Sequence, residues 1–309
     1  MRVFKPLIIA MFLCLAADAA GQGNLRDFQY TKDTNPLLGF DNAAALSSFG
    51  EGGVSRAGAS FLKENGALLP LEGSPDSWTA SVRTESFLRV SDKLVFGGAM
   101  SYSLFMGNQM GGQVLMNPFE NPVNFLEEDF STAGRKKRET YFLTGALSYA
   151  LNRKSSLGFR VDYTSADQTK YKDPRFQNVL MDLSLLPGFH SRISDRFSLG
   201  VNLLYRHSLE QLSAGLYGTV DREYYILVDQ GAFMGNRERF DGDVGYVSLN
   251  NARPLMNDFY GASLQIVSGA RTKLYQQVSF NLNQGYFGSR TSSSVVFCEF
   301  SGLEAALDG

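Results

Sequence analysis

The sequence predicts an all-β fold: a transmembrane, antiparallel, up-and-down β-barrel of nine, ten or more strands. Three observations predict it. The first is the stretch 78–106, which reads WTASVRTESFLRV, then SDK, then LVFGGAMSYSLFM. Trp78, Ala80, Val82, Leu88 and Val90 fall on one face, with Thr79, Ser81, Arg83, Glu85 and Arg89 on the other. Leu94, Phe96, Met100, Tyr102 and Leu104 then alternate with Val95, Ala99, Ser101 and Ser103. Period two is the signature of a strand between two different surroundings, and SDK is short enough for a hairpin turn. Strands of about 10 residues or more suit a tilted membrane crossing better than a soluble sheet, whose strands typically run ~5–6.

The second observation is recurrence. Period-two runs appear at 54–62, 140–151, 157–165, 178–186, 197–207, 258–268 and 273–284, which with the pair above makes nine, and SSSVVFCEF (292–300) offers a tenth. Leu143, Leu147 and Leu151 oppose Thr144 and Ser148; Phe159, Val161 and Tyr163 oppose Arg160 and Asp162. Val179, Met181 and Leu183 oppose Asp182 and Ser184; Phe197, Leu199, Val201, Leu203 and Tyr205 oppose Ser198, Asn202 and Arg206. One phase assignment therefore sends Arg83, Glu85, Arg160, Asp162, Asp182 and Arg206 into the lumen. The opposite phase would put arginine against lipid, at about 2–4 kcal/mol each at mid-depth.

The third observation is the rhythm of the connections. Short links (SDK, NRKSS, SRISDR, SGART) alternate with long ones at 64–77, 108–139, 166–177 and 209–257. Short turns on one side and long loops on the other are the asymmetry of an outer-membrane barrel. Trp78, Tyr141, Tyr163, Tyr205 and Tyr260 fall toward the long-loop ends, where an aromatic belt would meet the interface. Within the 209–257 loop, REYYILVDQ and VGYVSL could pair as a hairpin above the membrane.

Composition is compatible with this fold and narrows the function. The chain has 309 residues, with 29 basic against 31 acidic side chains, so no nucleic-acid footprint is present. A mean hydropathy of −0.15 argues against helical membrane spans but not against a barrel, where only alternate residues need face lipid. Residues 1–19 read as a cleaved signal peptide. Arg2 and Lys5 precede an apolar run, Leu7–Ala17, too short to span a bilayer, and Ala17-Asp18-Ala19 is a small-x-small cleavage site. Cys14 lies inside that signal, leaving Cys298 as the single mature cysteine and no internal disulfide. Residues 20–53 are expected to form an N-terminal strap or plug, residues 54–300 the barrel, and residues 301–309 an irregular tail with helical character. Because SGLEAALDG lacks a terminal aromatic, the end of the sequence reads as that of a truncated chain.

The exported start, the segment NPLLGFDNAAALSSF and the strands after it resemble an uncharacterised family of outer-membrane β-barrel proteins from Bacteroides-like bacteria, known only as a domain of unknown function. The resemblance covers residues 23 to about 290 and implies fold and location; it brings no catalytic residues. Asn42-Ala43-Ala44-Ala45-Leu46 is also similar to the Asn-Pro-Ala-x-Leu segment of long-chain fatty-acid transporter barrels, without its proline.

No residue set points to catalysis, a cofactor or a metal. The two histidines, His190 and His207, each precede a serine, and neighbours on a strand face opposite ways, so neither pair can be base and nucleophile. Both read as solvated strand-end side chains. An Asp–His site at the rim would require His207 beside Asp221 or Asp241. Glu238 with Asp241 and Asp243 lacks the spacing of a calcium loop and reads as a polar turn. The expected function is non-enzymatic: a passive channel or an accessory of nutrient uptake across the outer membrane of a Gram-negative cell. Its partners would be outer-membrane lipid and a larger transporter or lipoprotein. The alternative is a structural barrel whose long loops bind a surface partner, and a membrane-embedded hydrolase comes third.

Overall fold

The computed structural model describes residues 28–34, 41–50, 52–66, 73–117, 123–127, 130–218, 223–229, 234–240, 253–269, 273–288 and 296–308. Ten strands form one sheet: β1 (Gly53–Asn65), β2 (Asp76–Ser91), β3 (Leu94–Met110), β5 (Gly134–Ala150), β6 (Ser155–Lys170), β7 (Arg175–Ser194), β8 (Phe197–Gly215), β11 (Arg253–Ser268), β12 (Leu274–Gly288) and β13 (Val296–Asp308). They lie side by side in chain order, each antiparallel to the next. β4 (Asn124–Glu127), β9 (Tyr224–Asp229) and β10 (Gly235–Phe240) form a separate small sheet in the order β10-β9-β4. A helix, α1 (Phe28–Thr34), and a 3-10 turn, Ala43–Ser48, precede β1. The fold is all-β with the up-and-down order the sequence predicts, and all ten strand candidates are present.

The strands are longer than the hydrophobic alternation suggests, running from 13 to 20 residues in the large sheet. Backbone pairing continues above the apolar stretches because polar residues satisfy a ladder equally well. Three expectations are corrected as a result. The link between β6 and β7 is only residues 171–174, not a long loop over 166–177. Residues 301–308 are not an irregular tail: Ser301 to Asp308 continue β13 and pair with β12, Leu303 opposite Leu282. The partners of β9 are β10 and β4; VGYVSL (244–249), expected to pair with it, lies outside the described residues, as do Asp221, Asp241, Asp243 and the signal segment.

One face of the large sheet is covered at both ends by the chain itself. At the short-turn end Phe28, Ala43, Leu46 and Phe49 pack on Val54, Phe87 and Val95. At the long-loop end Val114, Leu115, Val123, Phe125, Ile226 and Val228 pack on Phe176, Leu212, Leu255 and Phe287. Phe125 and Phe287 pack with tilted rings, centroids 4.6 Å apart. This covered face is the inner face. Edge strands β1 and β13 run in opposite directions, β1 toward the long loops and β13 away from them.

Candidate functional site

The outer face carries most of the large apolar side chains left exposed. Val82, Leu88, Phe96, Met100, Leu143, Leu147, Phe159, Val201, Leu203, Leu264, Phe280 and Leu282 belong to it, at 36% to 55% exposure. They line up in register: Leu88 opposes Phe96, Phe96 opposes Leu147 and Leu147 opposes Phe159. Trp78, Tyr141, Tyr163, Tyr205 and Tyr260 are on this face too. Tyr205 packs against Tyr260 with tilted rings 5.5 Å apart, and Tyr141 against Tyr102 likewise at 4.9 Å.

The inner face is polar between its two plugged ends. Arg83, Glu85, Arg160, Asp162, Asp182 and Arg206 all project from it, and all are paired. Arg206 Nε donates to Asp182 Oδ2 (2.8 Å) and its guanidinium lies over Phe259, 4.8 Å from the ring centre. Arg160 Nε donates to Asp162 Oδ1 (2.9 Å), and its Nη1 to Asp41 Oδ1 (3.0 Å). Glu85 accepts from Lys32 of α1 (2.9 Å) and faces Arg83 at 3.6 Å. Two of these pairs, to Asp41 and to Lys32, tie the N-terminal segment to the strands.

That segment is docked by its backbone, a feature without a periodic signal in the sequence. Asn42, 1% exposed, donates from Nδ2 to the carbonyls of Phe189 (2.9 Å) and Val201 (3.2 Å). Its Oδ1 accepts from Ala44 N–H (3.0 Å), which caps the 3-10 turn. Ser148 and Ser156 both donate to the Ala44 carbonyl, at 3.0 and 2.8 Å. The Arg89 guanidinium donates to the carbonyls of Ser47 (2.7 Å) and Phe49 (2.5 Å). Gly158 makes the approach possible, because a Cβ there would lie 2.0 Å from Ala44 N.

The long-loop end is clamped by buried polar side chains of the strands. Lys136 donates to the carbonyls of Gly111 (3.3 Å) and Gln113 (2.5 Å). Gln168 and Asn178 donate to the Val114 carbonyl at 3.2 and 3.1 Å. Glu210 accepts from Met116 N–H (2.9 Å) and from Asn178 (2.6 Å). Lys170 and Glu127 form an ion pair with side chains 1% and 2% exposed, and Thr132 donates to the same carboxylate oxygen (2.6 Å).

A cleft of about 330 Å³ opens at the short-turn end, between the docked segment and the β8–β11 side of the sheet. Ser47, His190, Arg192, Ser198 and Lys273 are among its walls. His190 faces inward and is buried, at 8% exposure, with Nε2 lacking a hydrogen-bond partner, so it is not a solvated strand-end residue. His207 lies on the outer face, where its Nδ1 meets Asp258 Oδ1 at 2.7 Å and Tyr205 donates to the same oxygen at 3.1 Å. Its acidic partner is thus Asp258, while Ser208 points inward. Among the described residues no group of three or more histidine, cysteine or acidic side chains could hold a metal.

Known structures resemble the fold distantly. The ferric citrate transporter FecA aligns with a TM-score of 0.44 at 9% identity, over 75% of this chain and 33% of that one. The outer membrane transporter YddB from Escherichia coli aligns at 0.38 and 10%, over 75% and 31%. The Ralstonia pickettii toluene transporter TbuX aligns at 0.30 and 10%, over 88% and 91%. The chain spans about a third of the length of the first two. Its sequence matches no curated protein. A match over residues 43–296, which begins inside the docked turn and runs to the start of β13, shows that the chain belongs to DUF6850, a family of unknown function.

Proposed function

We propose that this chain forms an outer-membrane β-barrel in a Gram-negative cell and acts there, without catalysis, as a channel or as an accessory of nutrient uptake. One observation carries the reading: exposed leucine, valine and phenylalanine side chains cover the middle of one face of the large sheet, while Arg83, Glu85, Arg160, Asp162, Asp182 and Arg206 occupy the other. Such a surface in water would be an aggregation liability; in a bilayer it is the lipid contact. Strands in hydrocarbon must satisfy every backbone amide, so β1 and β13 must each find a partner. Their opposite directions allow antiparallel closure, with each other or through further strands. Export by a cleaved signal peptide belongs to the same reading.

The inner polar strip between the two plugged ends favours passage or handling of a solute over a purely structural barrel. A transporter or lipoprotein partner would bind at the long-loop end, beside the β4–β9–β10 sheet. Conductance across a planar bilayer tests the channel. Purified protein inserted at low density is expected to give discrete current steps. No current, together with no solute uptake into proteoliposomes, would leave the structural barrel, with its loops as the binding surface. A hydrolase would need a nucleophile beside His207, and Ser208 is turned away from it; unchanged lipid and peptide turnover in His207→Ala is expected.

A further inference from the structure

Three neighbouring short turns bring cations to one cleft. The β5–β6 turn supplies Arg153 and Lys154, the end of β7 and the β7–β8 turn supply Arg192 and Arg196, and Lys273 stands just before β12. All five side chains are exposed, and all five line the 330 Å³ cleft described above. Among the described residues none of the five makes an ion pair. Arg83, Arg160 and Arg206, further along the inner face, each face a carboxylate instead. The side-chain donors of Arg153, Lys154, Arg196 and Lys273 meet no protein acceptor among the described residues, and Arg192 donates only to the Arg153 carbonyl, at 3.4 Å. Two carboxylates, Asp92 and Asp195, share the wall, which leaves an excess of three positive charges, five against two. Glu304 and Asp308 of β13 stand on the rungs of Asn281 and Gln277, outside that wall.

The chemistry of the cleft selects its ligand. The planar fork of an arginine meets phosphate oxygens two at a time, and Arg153, Arg192 and Arg196 bring three forks. A phosphomonoester carries about −1.5 to −2 charge at pH 7, which suits an excess of three positive charges better than a single carboxylate does. Ser47 and Ser198 add hydroxyls to the wall, which donate without bringing charge. The volume exceeds what a bare phosphate fills and lies in the range of small-molecule sites. The walls also argue against a membrane lipid. Arg192 and Ser198 share a rung on the inner face, and Ser47 belongs to the segment docked on that face, so the cleft opens toward the lumen.

We propose that this cleft binds a small phosphorylated solute at the short-turn mouth of the inner face. The proposal goes beyond the channel reading: binding is measured on solubilised protein and needs no conduction, so the two can fail separately. Titration calorimetry of the full chain in a non-ionic detergent tests it with glycerol phosphate, inorganic phosphate, succinate and glycerol. Both phosphates are expected to bind saturably, at least several-fold tighter than succinate and more weakly as salt rises, and glycerol not at all. Arg196→Gln/Lys273→Gln should weaken both phosphates at least several-fold while the gel-mobility shift of the folded protein persists. Arg135→Gln, an exposed cation at the long-loop end, should change neither. Equal affinity for succinate and the phosphates, no binding of either phosphate, or unchanged phosphate affinity in the double variant would overturn the assignment. Displacement of glycerol phosphate by phosphatidylglycerol added to the micelles would overturn it too, by giving the cleft to a lipid headgroup.

Discussion

Single residues hold the covering segments against the two ends of the inner face. Asn42 satisfies two strand carbonyls and one amide at a site with no access to water, so Asn42→Ala loses all three bonds. With each orphaned buried group costing about 1–3 kcal/mol, a loss of about 2 kcal/mol or more is expected, read as a lower unfolding midpoint in urea. Gly158→Val acts by contact alone: its side chain would occupy the space of Ala43 and Ala44. Amide exchange over 43–49 should rise sharply in that variant, while β11 and β12 keep their protection. At the other end Glu127→Gln leaves the Lys170 ammonium buried without its counter-charge, for which about 3–5 kcal/mol is expected. The double change Glu127→Leu/Lys170→Met should recover most of it, because two apolar side chains of similar volume need no partner. Limited proteolysis of the 111–133 connection would report both. Apart from Asn42, which the Asn42–Leu46 segment singles out, none of these residues stands out in the sequence, since each acts on a partner distant in the chain, and hydrophobic periodicity contains no record of such a contact.

Elements were legible where apolar and polar residues alternate, and illegible where they do not. Phe159, Val161 and Tyr163 against Arg160 and Asp162 identify the middle of β6, but its last residues, up to Lys170, pair just as regularly with no apolar face to reveal them. β10 reads GNRERF and offers no alternation at all, so its pairing with β9 comes from the ladder alone. The belt residues contain a further signal, which appears only once the register is known. Projected along rungs onto β2, Tyr141 falls level with Val82, Tyr163 with Thr84, and Tyr205 and Tyr260 with Ser86, whereas Trp78 is on β2 itself. The belt thus drifts by eight residues, from position 78 to 86, across the six strand spacings from β2 to β11. That is about 26 Å along the strands over about 29 Å across them, an angle of roughly 42°. A belt level with a membrane surface requires the strands to lean by that angle, within the ~35–45° of membrane barrels. Polarised infrared spectroscopy of the protein in oriented bilayers should give a strand tilt near 40°; strands upright to within ~15° would place these aromatics at unrelated depths.

For the whole molecule, the sign of a substitution should depend on which solvent it meets. Ser279 and Phe280 are neighbours on β12, one opposite Ser263 on the inner face and the other opposite Ala262 on the outer. Phe280 is 48% exposed with apolar residues around it, Leu282 and Val278 on its own strand. A soluble protein would tolerate arginine at such an exposed position and resent it at the more enclosed Ser279. A barrel in lipid reverses the order. Phe280→Arg then places a guanidinium in hydrocarbon at about 2–4 kcal/mol, whereas Ser279→Arg extends into the polar inner face, where Glu304 and Asp308 of β13 flank the rung of Ser279. Refolding into lipid vesicles, followed by the gel-mobility shift between heated and unheated samples, separates the two. The folded fraction should fall steeply for Phe280→Arg and stay near that of the parent for Ser279→Arg. The opposite ranking would mean that the exposed apolar face is covered by protein, and a lipid-facing barrel would no longer account for it.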